Sequence, residues 1–148
     1  MVPKTTDIEV RPARGAAERH AALELRREVF VDEQGISPRL EADHRDADAI
    51  HLVAVRDQQV VGTCRVVVDA ATAKLGRLAV RRGARGAGAG TALVAAAEAQ
   101  ARAAGAERMA LHAQAHATGV YAARGFVRLG APFREAGIEH IRMEKQLA

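Results

Sequence analysis

The chain has 148 residues, 49% apolar, 27% charged and 3% aromatic, with a formal charge of +4 and an isoelectric point near 10. That length fits one domain over residues 1–148 with its own core, and a single Cys64 excludes an internal disulfide. No apolar run suits a signal peptide or a membrane span, and the arginines are mixed with acids and lack interleaved aromatics; a cytoplasmic protein that binds neither membrane nor nucleic acid is expected.

Residues 7–11 read as an opening strand and 16–31 as a helix, with Ala22, Leu25 and Val29 on one face and acids and arginines on the rest. Gly35 and Pro38 end this region, and an acid-rich loop runs to residue 49. Residues 50–56 and 60–69 are apolar runs joined by Asp57-Gln58-Gln59, the spacing of a hairpin. Residues 74–80 make a further strand, and residues 88–104 an alanine-rich helix with Glu98 and Arg102 at i,i+4 spacing and Gly105 as its stop. A strand at 107–112 completes a crossover unit, expected to be parallel. A short helix at 116–124 ends at Gly125, and strands at 126–129 and 138–146 close the chain. The class is α+β, or mixed α/β, with one crossover at its centre.

Between strand and helix lie four glycines within eight residues, Gly83, Gly86, Gly88 and Gly90. A turn of this kind leaves backbone N–H groups bare at a helix N-terminus, where the helix dipole favours an anion such as phosphate. A P-loop needs a lysine after its last glycine, and Ala89 follows Gly88. A dinucleotide fingerprint needs Gly or Ala at its sixth position, where Thr91 or Leu93 stands. Arg85-x-x-Gly88-x-Gly90 remains, after a strand ending at Val80.

This element resembles the pyrophosphate loop of the GNAT superfamily of acyl-CoA-dependent N-acyltransferases, whose motif is Q/R-x-x-G-x-G/A. Tyr121 followed by Gly125-Phe126 is similar to that family's Y-x-x-x-G-F ending, in the right order and one strand beyond the helix. The opening Leu25-Arg26-Arg27-Glu28-Val29-Phe30-Val31-Asp32-Glu33-Gln34 resembles that of the ElaA-like acetyltransferases. So do Glu41-x-Asp43-x-x-Asp46, His51-Leu52-Val53-Ala54, Ala113-Gln114-Ala115-His116 and Gly137-Ile138-Glu139-His140-Ile141-x-Met143. The resemblance implies a central, mostly antiparallel twisted sheet flanked by helices. It also implies acetyl-CoA as cosubstrate, a small-molecule amine as acceptor and direct transfer without an acyl-enzyme. Exposed final strands in such a fold allow a homodimer. A non-catalytic acyl-CoA-binding module and an acyl-homoserine-lactone-synthase-like enzyme are the alternative readings.

On the same resemblance, backbone groups of Leu78, Ala79 and Val80 face the pantetheine arm, and Arg85, Gly86, Ala87, Gly88, Ala89, Gly90 and Thr91 wrap the pyrophosphate. Transfer to an amine needs a proton acceptor for the amine and a donor for the departing thiolate. Tyr121, the one tyrosine, matches the family's acid and also borders the cofactor. The strand at 74–80 holds no glutamate, so the base is sought among Glu41, Asp43, His51, His112 and His140, with His112 and Glu41 foremost. Phe30, Glu33, Glu41, Gln114 and His140 are the candidate acceptor contacts. Between residues 32 and 48 six acids face two arginines, a composition that favours a cationic acceptor if the acids are free. His112 and His116 straddle a strand end with no third ligand, so no metal is expected, and mid-strand Cys64 reads as a small core residue.

Overall fold

The computed structural model describes residues 7–147. In chain order the elements are β1 (Glu9–Pro12), α1 (Gly15–Arg26), α2 (Pro38–Glu41), β2 (Ile50–Arg56), β3 (Gln59–Asp69), β4 (Thr72–Val80), α3 (Ala89–Ala103), β5 (Arg108–Gln114), α4 (Thr118–Ala122), β6 (Val127–Glu135) and β7 (Ile138–Gln146). The strands form one seven-stranded sheet in the order β1-β2-β3-β4-β5-β7-β6. All neighbours are antiparallel except β4 and β5, the two strands joined by α3. This is the α+β architecture with a parallel crossover that the element pattern implies.

Helices cover both faces at the β2–β4 end. On one face Ala22, Leu25, Val29 and Phe30 pack on Val53, Val60 and Ala79; on the other Leu93, Val94, Ala97 and Ala101 of α3 pack on Leu52, Cys64, Val66 and Leu75. With both sides covered, β3 is buried from Val60 to Val67, which explains its nearly unbroken apolar sequence. At Gly62 an added Cβ would stand 3.0 Å from Leu93 Cδ1 and 3.2 Å from Ala54 Cβ, so the glycine is what lets α3 lie this close to the sheet.

Three elements depart from their expected limits. The first helix does not stop near residue 31 but continues beyond α1 as a π-helix, Arg27–Glu33, a wider turn often found where a helix borders a site. The helix expected at 116–124 is a 3₁₀ turn, Ala115–Ala117, followed by α4. The strand expected at 126–129 extends through β6 to Glu135, although Gly130 and Pro132 lie within it. Both are tolerated because β6 is the sheet's edge and its pairing with β7 is irregular between Leu129 and Phe133. Among the described residues no helix is long and apolar enough to cross a membrane.

Candidate active site

The site begins where two parallel strands part. β4 and β5 pair only at Thr72–Arg108, Ala73–Met109 and Lys74–Ala110. Beyond this, β4 bulges: Arg65 faces Gly76 and Thr63 faces Ala79, so Arg77 and Leu78 together stand opposite Cys64. Such a bulge bends and twists its strand away from a neighbour. Arg77 takes a left-handed φ of +56°, uncommon for a side-chain-bearing residue, and its guanidinium is fixed by donating to Glu41 O (2.9 Å), Leu40 O (3.1 Å) and Asp43 Oδ2 (3.2 Å). The gap widens into a cavity of about 580 Å³, with Phe30, Leu78, His112, Gln114, Tyr121 and His140 on its wall.

β4 carries the wall on to the glycine turn. Leu78 borders the cavity, Ala79 and Val80 return to pairing with Thr63 and Gly62, and Arg85–Thr91 lie beyond the strand's end, off the cavity wall. Gly86 and Gly88 have φ of +84° and +87°, and no atom lies within 4 Å of where a Cβ would stand on either. Gly88 caps α3, and the first helical bond runs from Ala92 N to Gly88 O, so the N–H groups of Ala89, Gly90 and Thr91 have no acceptor within the helix. This open, donor-rich concavity fits a pyrophosphate. The Arg85 side chain turns away from it, donating Nε to Val80 O at 2.8 Å and Nη2 to both oxygens of Glu33 at 3.0 and 3.1 Å. Glu33 is therefore not on the acceptor wall as expected: its carboxylate holds Arg85 and also meets Arg82 at 3.4 Å.

Tyr121 is only 8% exposed, yet it borders the cavity, and its ring meets Phe126 edge-on with centroids 6.1 Å apart. Burial, with a smaller contribution from Cys64, pushes its phenol above the ordinary value, so it stays protonated throughout the working range. The helix carrying it is anchored from behind by Glu98, 0% exposed, which accepts from Arg124 Nε at 3.0 Å and Lys145 Nζ at 2.6 Å. Burial alone would raise the Glu98 carboxyl, but these two hydrogen bonds outweigh it and hold it below its ordinary value. Arg102, the expected i,i+4 partner, stands at 3.7 Å and donates its Nε to Leu147 O. Cys64 is buried on the α3 face, where desolvation raises its thiol to about 12 and leaves it un-ionised.

Across the cavity, His112 Nδ1 lies 2.8 Å from Glu135 Oε2. A carboxylate can only accept, so Nδ1 carries the proton and Nε2 is left as a proton acceptor. Phe133 orders the ring edge-on at 4.9 Å and stacks on His140 at 5.9 Å. His140 donates Nδ1–H to Ile138 O at 2.7 Å and is buried. Sequence reasoning missed Glu135 because Gly130 and Pro132 read as the end of the strand; the alternation Phe133, Glu135 was the signal to extend it. Gln114 borders the cavity, but its amide exchanges hydrogen bonds of 2.8 and 3.0 Å with Gln34 and so ties β5 to the end of the π-helix. His51 lies off the cavity wall and donates Nε2–H to Asp46 O at 2.8 Å. All four aromatics border the cavity or pack on a residue that does.

Three of the six acids of the acid-rich segment, Glu41, Asp43 and Asp46, are not free to attract a cation, while Asp32 and Asp48 are exposed. Arg26, 1% exposed, donates to Glu41 Oε1 at 2.5 Å and to Asp46 at 2.7 and 3.1 Å, and Arg65 bridges Asp43 and Asp46 at 2.5–2.9 Å. Arg77 completes a set of three arginines against Glu41, Asp43 and Asp46. Burial works to raise the Asp46 carboxyl, but Arg26 and Arg65 hold it well below the usual range. Arg65 does the same for Asp43. Glu41 thus reaches the cavity with its carboxylate already committed to Arg26, which suits a positioning residue better than a base.

Sequence and fold are both shared with known proteins. Residues 15–147 match the family model described as an acetyltransferase (GNAT) domain. The chain is 32% identical to the uncharacterized N-acetyltransferase YjcF of Bacillus subtilis over 84% of this chain and 89% of that protein. It superposes on an acyl-CoA N-acyltransferase from Pseudomonas aeruginosa with a TM-score of 0.79 at 33% identity, covering 94% of this chain and 98% of the other. On Escherichia coli ElaA the TM-score is 0.80 at 26% identity, covering 95% and 99%. The parted strands, glycine turn and buried phenol thus occur in a chain that belongs to the GNAT acetyltransferase family.

Proposed function

We propose that the protein transfers an acetyl group from acetyl-CoA to the amine of a small-molecule acceptor by direct attack. The observation that supports this most is the parting of β4 from β5 next to a glycine-capped helix, which aligns an anion-binding turn with a cavity bearing a phenol and an imidazole. The N–H groups of Ala89, Gly90 and Thr91 would hold the pyrophosphate, and the edge of β4 from Leu75 to Leu78 that faces β5 without pairing to it would hold the arm that follows. When bound, acetyl-CoA supplies an activated acyl carbon and a sulfur leaving group. His112 Nε2, oriented by Glu135, takes a proton from the acceptor amine. Tyr121, kept protonated by its burial, donates from its hydroxyl to the departing sulfur.

Calorimetry with CoA, followed by thiol release from acetyl-CoA across a panel of amines, tests this reading. CoA binding with amine-dependent release is expected. Failure to bind CoA would sink it, and binding without release for any amine would make the chain a non-catalytic acyl-CoA module. Tyr121→Phe and His112→Gln should each lower kcat about 10²–10⁴-fold, the usual worth of a positioned acid or base, with KM for acetyl-CoA little changed. Unaltered turnover in either variant removes that residue from the mechanism.

A further inference from the structure

We infer that the acceptor bears a carboxylate beside its reacting amine, as a free amino acid does, and that Lys74 and Arg142 receive it. This rests on the transferase reading above and names the substrate class of the same cavity. The acids on the cavity wall are Glu41, Asp43 and Glu135, and each already has a partner: Arg26, Arg65 and His112. A second ammonium on an acceptor would find no free carboxylate there.

The cations are differently placed. Lys74 is exposed on the wall and among the described residues has no ion pair within 4 Å; Asp69, already held by Arg45, is near enough to feel its charge. Arg142 is exposed as well; among the described residues its ion pair is with Glu144, at 3.2 Å, which stands two residues along the same strand, opposite Ala110 and on the same face, and leaves the rest of the guanidinium fork to a ligand. Strand register sets both beside the proposed base: His112 faces Arg142 directly across β5 and β7, while Lys74 faces Ala110, two residues before His112. Alternation along a strand puts Lys74, Ala110, His112 and Arg142 on one sheet face. Directly opposed side chains on the antiparallel β5–β7 pair lie about 5 Å apart, and Lys74 stands on the last paired residue of β4 before the strands part, so an imidazole taking a proton from an amine has a cation on either side of it. A carboxylate reaching that row would accept charge-assisted hydrogen bonds, whereas a diamine would meet like charge.

The test compares α-amino acids with their own carboxamides and decarboxylated amines, at matched concentrations of neutral amine. The acids should show about tenfold higher kcat/KM, the scale of one charge-assisted hydrogen bond, and Lys74→Met should bring that ratio close to one, chiefly through KM. Calorimetric titration of N-acetyl amino acids into the CoA-loaded protein gives a readout apart from turnover: wild type should bind and Lys74→Met should bind about tenfold more weakly, with CoA affinity itself retained. Equal or better turnover of amides, decarboxylated amines or diamines would overturn the inference and leave the transferase reading standing. An unchanged ratio in Lys74→Met would do the same. Loss of CoA binding, or no thiol release with any amine, would bring down both.

Discussion

The two ends of the cavity are built from different materials. Toward the glycine turn the site is backbone: glycines in left-handed conformations and unpaired N–H groups, drawn from one contiguous stretch of chain. Toward the acid-rich loop it is side chains: Arg26, Glu41, Asp43, Asp46, Arg65 and Arg77, from two helices, a loop and two strands. The first end depends on the absence of Cβ atoms and on bare N–H groups, its Arg85 being turned away onto Glu33. The second depends on a balance of charges, each of which would be costly alone. Substitutions should therefore act oppositely at the two ends, shape changes at one and charge changes at the other.

The largest effect is expected on the ionic end. Arg26→Met leaves Glu41 and Asp46 without their main partner, a loss of about 3–5 kcal/mol by the usual worth of breaking a buried pair. For a chain of this size that is a fall in Tm of roughly 10–20 °C, and a melt within a few degrees of wild type would show that the acceptor wall does not depend on the network. Acid should reach the same set of contacts. Asp43, Asp46 and Glu98 are held below their ordinary values, so the stability they contribute is complete above about pH 5.5, where unfolded carboxylates are ionised. It is lost as the pH falls further, because the unfolded chain then binds protons that the folded one refuses. Denaturant midpoints taken from pH 7 to pH 2 should stay level and then drop; a midpoint that rises on acidification would contradict this sign.

At the backbone end, Gly88→Val forces a β-branched residue to a φ of +87°, a strain of about 1–2 kcal/mol. CoA should bind about tenfold more weakly by calorimetry, while turnover at saturating acetyl-CoA stays near wild type. A variant that bound CoA normally would mean that the turn's conformation is not what receives the cofactor. The smallest effect belongs to Cys64, which faces the α3 core with its thiol held un-ionised. Cys64→Ala should cost about 1 kcal/mol in a melt and leave kcat unchanged, whereas a collapse of kcat would reinstate a thiol in the chemistry.

The same contrast governs how much could be read before the structure. The strand, glycine turn and helix from β4 to α3 were legible, as were the hairpin of β2 and β3 and the buried face Ala22, Leu25 and Val29. Arg26 was not: on an amphipathic helix a charge beside the apolar stripe reads as solvent-facing, and only its partners 15 and 20 residues on make it a core residue. The acid-rich loop was visible as composition, but its sign of action was inverted once Arg26, Arg65 and Arg77 met it. Glu135 lay hidden behind Gly130 and Pro132, residues that end an interior strand but not an edge one.

From the sequence alone came the order of the strands and main helices, the parallel crossover, the glycine turn and the tyrosine before Gly125-Phe126. Each is set by local periodicity, by backbone conformations that glycine permits, or by spacing within a few turns of chain. The tertiary structure alone decided which charges are free. It placed Glu98 between Arg124 and Lys145, His112 against Glu135, and left Lys74 and Arg142 exposed on the cavity face. Ion pairing depends on distance in space and on burial, and neither is encoded in the interval between two residues along the chain.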